Sequence, residues 1–198
     1  MYREPYRLRL ASILSNQLTT GDDDMSTKKL LKMLNELGKE AEFRIESLNR
    51  GGCAVFAAHV GYYLKYRAGI KNVKLRVGNS WADEESDILA VDDVRNNIHP
   101  SANAAEWSAA GLDFGHVIIE FTTGKIKKTT RHYDSDGVTS RSNVTNKFGF
   151  SLHPGSMTVE EGLQIASEQD GWNRLFNREQ IPALINIIDK HFAAYVNR

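Results

Sequence analysis

Cysteine is almost missing from this chain: Cys53 is the only one in 198 residues. A lone thiol excludes an internal disulfide framework and any multi-thiolate zinc centre. An excess of one charge sign is missing too, because basic and acidic residues number 25 each. Neither nucleic acid nor an acidic membrane surface is therefore an expected partner. Apolar runs stay well short of the roughly 18 residues a membrane span needs. The basic start "MYREPYRLRLASILSNQL" is broken by Arg7 and Arg9, which argues against a secretory signal and makes the cytoplasm the default compartment. Without a secretory route, the "NVT" sequon at Asn143 is accidental. There are no internal repeats and no low-complexity tracts.

What is present is enough for one domain with a real core. Residues 1–24 read as a loosely ordered arm, and 25–198 as a single domain. Ser26 is placed as an N-cap, with Met25 and Leu30 as a hydrophobic staple. Leu30, Leu31, Leu34 and Leu37 then form one helical face, and Gly38 marks its end. A second helix is expected from about Gly52 to Arg67, closed by Gly69, followed by the alternating strand "VKLRVGNSW". Residues 81–113 are acidic and aperiodic, an irregular excursion carrying Trp81 and Trp107; long loops of this kind often border functional clefts.

From residue 114, "FGHVIIEFTTGKIKKTTRHYDSDGV" reads as a hairpin turning at "TTGK". "KFGFSLH" follows as another strand. Thr158 and Glu161 make a capping box for a helix at 158–169. A last helix carries Leu184, Ile185, Ile188, Phe192 and Tyr195 at helical spacing, with Pro182 in its first turn. The order of helices, sheet and helices predicts an α+β fold with an antiparallel sheet.

Cys53 opens the second helix directly after two glycines in "NRGGCAVFAAHVGYYL". A free thiol with a pKa near ~8.5 is mostly protonated at neutral pH, and the thiolate is the nucleophile. A helix N-terminus favours the anion through its unpaired N–H groups and its dipole. Glycines allow a sharp turn and a close substrate approach. A buried, inert thiol is the competing reading.

A nucleophile needs a base. His59 lies six residues on, about 240° round the helix, and is expected at the surface or between lobes. His99 and His153 precede prolines in loops, and His191 lies on the last helix. His116 stands at the entry to "HVIIEF", where it shares a face with Ile118 and Glu120 while Val117, Ile119 and Phe121 take the other. The hairpin brings Asp134 within one or two residues of being opposite His116. Asp134 is then the expected orienter of the imidazole, with Asp136 and His132 as alternatives on the same face.

Cysteine at a glycine-led helix start, histidine at a strand start and aspartate on the partner strand resemble the papain-like cysteine hydrolase superfamily, nearest to its transglutaminase-like branch. The matching residues are "GGCAVFA" around Cys53, "HVIIE" from His116 to Glu120, and "YDSDG" around Asp134, within residues 47–137. The resemblance implies a papain-like fold. It also implies a Cys–His–Asp triad attacking an acyl carbonyl through a thioester, with no cofactor and no metal. Peptides, proteins or small amides are the implied substrates. The branch usually has an aromatic residue where this chain has Ile118. The R-G-G-x-C of arylamine N-acetyltransferases and the D-C-S-G of cell-wall amidases are both absent. The oxyanion donors would be the Cys53 N–H, supported by Gly52, and the Asn49 side chain, for which plain loop capping is the alternative role.

Other readings stay open beside this one. A zinc site could form from His116, His132 and Asp134. "HYDSDG" resembles half a calcium loop, but His132 stands at its first position and Asn143 at its twelfth. A phosphatase loop C-x5-R is excluded, because His59 stands where arginine would be needed. The same scaffold could also serve as a catalytically silent binding module.

Overall fold

The computed structural model describes residues 23–48, 52–78, 116–124, 128–140, 143, 152, 156–167 and 176–196. The expectations for residues 1–22, for Asn49, for the 81–113 excursion with its two tryptophans, for His99 and His153, and for most of "KFGFSLH" fall outside those residues.

Among the described residues, four helices and four strands follow in order: α1 (Asp23–Arg44), α2 (Cys53–Tyr66), β1 (Lys74–Gly78), β2 (His116–Thr123), β3 (Thr129–Asp134), β4 (Gly137–Thr139), α3 (Val159–Ser167) and α4 (Ile181–Val196). A 3-10 turn, Arg178–Gln180, leads into α4 and is capped by Asn177, whose side chain accepts from the Glu179 N–H. The strands form one antiparallel sheet in the order β1-β2-β3-β4. The architecture is α+β. Among the described residues, no helix is long and apolar enough to cross a membrane.

Helix α2 is the centre of the packing. Ala54, Val55, Phe56, Ala57, Ala58, Val60, Gly61 and Leu64 are all buried, so the helix is covered nearly all round, as a core helix must be. It lies on the sheet face made by Leu75, Val117, Ile119, Phe121 and Tyr133. The Phe56 and Tyr133 rings meet at 5.7 Å between centroids. Helices α1, α3 and α4 complete the core through Leu34, Leu37, Val159, Ile165, Leu184, Ile188 and Phe192.

Several local expectations are corrected. Helix α1 runs Asp23–Arg44 and so starts ahead of Ser26. Ser26 is therefore inside the first turn, its hydroxyl 3.4 Å from the Tyr195 hydroxyl, and does not cap the helix. Gly38 does not end α1, which runs six residues further to Arg44. Glycine is there because a Cβ would strike the Ser135 carbonyl oxygen. The capping box of α3 is present: the Glu161 N–H donates to Thr158 Oγ1 at 3.2 Å, and the Thr158 N–H donates to Glu161 Oε2 at 2.8 Å. Strand β4 extends the hairpin into a three-strand meander that alternation alone did not reveal.

Candidate active site

Gly52 precedes α2 with no side chain to cap it. A Cβ at Gly52 would come within 2.6 Å of the Phe176 ring and 2.9 Å of Leu48 Cα. The glycine thus lets the incoming chain press close against the helix start. The Gly52 N–H donates to the Ser47 carbonyl at 3.3 Å, and the first intrahelical bond runs from the Phe56 N–H to the Gly52 carbonyl at 2.9 Å. The N–H groups of Cys53, Ala54 and Val55 therefore lie ahead of the helical ladder, where a helix favours an anion.

The half-buried Cys53 thiol meets three donors there: the His116 ring and the N–H groups of Val117 and Ala54. His116 Nε2 lies 3.2 Å from Asp134 Oδ2. A carboxylate only accepts, so Nε2 carries the proton, and Nδ1 is left to meet the thiol. The Asp134 carboxylate is itself fixed, because its Oδ1 accepts the Asp136 N–H at 2.9 Å across the β3–β4 turn. Three elements thus bring Cys53, His116 and Asp134 into one hydrogen-bonded line.

Burial, the largest influence on Cys53, works to raise its pKa. The hydrogen bond and charge of His116, with the two backbone N–H groups, outweigh that and hold the thiol below its ordinary value. Burial would likewise lower the His116 pKa, but the bonds to Asp134 and Cys53 and their charges overcome it and hold the ring at about 9. Both directions favour a thiolate beside an imidazolium at neutral pH.

The β2–β3 register pairs Glu120 with His132 and Ile119 with Tyr133. Continued along the ladder, it sets Asp134 beside Ile118, two residues short of facing His116. Asp136 is exposed in the turn, and its part here is to donate its backbone N–H to Asp134. His132 is not drawn into the triad either. It bonds Glu120, Nε2 to Oε2 at 3.2 Å, and among the described residues no cluster of three or more His, Cys, Asp or Glu could hold a metal ion. Of the other histidines, His59 is half-buried and bonded within its own helix, Nδ1 donating to the Val55 carbonyl at 2.8 Å. Burial there lowers its pKa. His191 bonds Glu40 at 2.8 Å.

Two features of the site escaped the sequence reading. The Val117 N–H facing the sulfur has no side-chain signal, although it follows once β2 begins beside the helix start. The second polar cluster, Arg76–Glu120–His132, left a usable trace in the alternation of β1, β2 and β3. The chain matches no protein-family model, and no curated protein or solved structure is significantly similar to it.

Proposed function

We propose that this chain is a cysteine-dependent hydrolase acting on an amide, peptide or isopeptide bond, on a papain-like fold nearest to the transglutaminase-like branch. The observation that carries the reading is the hydrogen-bonded line from Cys53 through His116 to Asp134 at the open N-terminus of a buried helix. In the proposed reaction the thiolate attacks the acyl carbon, and the displaced electron pair resides on the carbonyl oxygen. The Cys53 N–H is the backbone donor for that oxyanion. The intermediate collapses as His116 passes its proton to the departing amine, leaving a thioester on Cys53. His116, now neutral, takes a proton from water, and the hydroxide releases the acid and restores the thiolate. Asp134 keeps the imidazole in the required orientation and stabilises its charged form.

The rate of Cys53 alkylation by iodoacetamide against pH, in wild type and His116→Ala, tests this proposal. The sole cysteine makes the readout unambiguous. The expected result is a thiol pKa well below ~8.5 that rises when His116 is removed. A slow thiol of ordinary pKa, indifferent to His116, would overturn the hydrolase and leave a binding module.

A further inference from the structure

One face of the sheet holds two histidines and two carboxylates, sorted into two pairs. His116 on β2 bonds Asp134 on β3, and His132 on β3 bonds Glu120 on β2. This sorting is not forced by reach. His132 and Asp134 are alternate residues of one strand, so they share a face with Cα atoms about 6.6 Å apart. An imidazole at His132 can therefore turn toward either carboxylate. Both histidines are buried, so the bond to a carboxylate helps to fix the orientation of each ring. Glu120 is directly opposite His132 in the register, and its Oε2 also stands 3.7 Å from Arg76 Nε on β1. Glu120 thus faces an imidazole on one neighbouring strand and a guanidinium on the other.

We propose that Glu120 is a positioning residue for the Cys53–His116–Asp134 site: by engaging His132 Nε2 it keeps the second imidazole off Asp134, so that Asp134 Oδ2 serves His116 alone. Glu120 touches no reacting atom and acts through His132 and Asp134. The proposal rests on the hydrolase reading, because it assumes that the His116–Asp134 bond sets the state of the thiol.

The Glu120→Gln substitution tests it with little change in shape. A neutral amide is the weaker acceptor, since hydrogen bonds to an ionised group are roughly twice as strong. His132 would then turn to the charged Asp134 and compete with His116. The measurement is the pH profile of Cys53 alkylation in wild type, Glu120→Gln, His132→Phe and the double variant, with thermal melting as a check on folding. Glu120→Gln should raise the thiol pKa by about one unit, an approximately tenfold slower alkylation below that pKa. His132→Phe should keep the wild-type profile, and the double variant should recover it because the competitor is gone. A wild-type profile in Glu120→Gln overturns the proposal, as does a double variant shifted as far as the single one. If Glu120→Gln alone does not fold, the His132→Phe background decides, because Glu120→Gln must have no effect there. An ordinary thiol in the wild type would sink the hydrolase reading itself, whereas a perturbed thiol insensitive to Glu120→Gln sinks only this one.

Discussion

Asp134→Asn isolates the charge of the carboxylate bonded to His116 while nearly preserving its shape. His116 stands at about 9 against an ordinary 6.5, a difference of roughly 3.4 kcal/mol at ~1.36 kcal/mol per pH unit. Burial opposes that rise, and Asp134 and Cys53 produce it together, the Asp134 hydrogen bond leading. A Coulomb estimate for unit charges 3.2 Å apart at an effective dielectric of ~20 gives about 5 kcal/mol, before the desolvation that offsets part of it. Removing the charge should therefore lower the imidazolium midpoint by about one to two pH units. The assay is imidazole NMR on uniformly histidine-labelled protein, with the His116 resonance assigned by its loss in His116→Ala. A wild-type midpoint near the ordinary 6.5 would refute the reasoning. So would a midpoint that Asp134→Asn leaves in place.

Gly38→Ala gives a prediction whose sign discriminates. In an exposed helix the change gains about 1 kcal/mol, but here the new Cβ meets the Ser135 backbone carbonyl, so a loss of about 1–3 kcal/mol is expected. Because the Ser135 turn carries Asp134, the thiol pKa should rise as well. Urea unfolding with the alkylation profile checks both, and a stabilised protein would count against the close approach. Glu40→Gln probes the α1–α4 contact, where Lys190 and His191 bond the Glu40 carboxylate and, with Arg44, hold its pKa at about 2 against an ordinary 4.5. A depressed carboxyl contributes stability above its unfolded pKa and loses it as pH falls through the folded one. The variant should thus be less stable by about 1 kcal/mol at pH 7, with the difference fading between 4.5 and 2. A difference in melting temperature that persists at pH 2 would contradict this.

Strand β2 was legible because its two faces differ in chemistry. Val117, Ile119 and Phe121 had to be covered, and the period of two then assigned His116 and Glu120 to the opposite side. Cys53 at a helix start was legible from Gly51 and Gly52. The true C-terminal end of α1 was not, because its glycine answers to a contact nearly 100 residues away. Propensity reads Gly38 as a stop, and only the Ser135 carbonyl explains it as a spacer. Strand β4 was hidden for a related reason: three residues carry too little alternation to read, and their pairing is secured by Asn35 of α1, whose Oδ1 accepts the Val138 N–H at 2.9 Å. The face of His132 alone points to chemistry, but its Glu120 partner depends on a register that the hairpin loop length leaves open by one or two residues.

That register explains how Asp134 comes to meet His116. Tyr133 is fully buried beside Asp134, packing on Phe56 and donating its hydroxyl to the Leu34 carbonyl at 2.7 Å. Adjacent strand residues point to opposite faces, so seating Tyr133 in the core commits Asp134 to the face that holds His116. A slip of one residue would expel the tyrosine and bury the carboxylate against apolar side chains, both at high cost. The same ladder seats Ile119 against Leu75 and Tyr133, and thereby turns its alternate neighbours the other way. The alignment of His116 with Asp134 is therefore maintained by the apolar face of the sheet, which contributes no atom to their hydrogen bond. Mutations that loosen Tyr133 or Phe56 should accordingly raise the Cys53 thiol pKa in the alkylation profile, because the register of β3 and the seating of α2 on the sheet both depend on that contact.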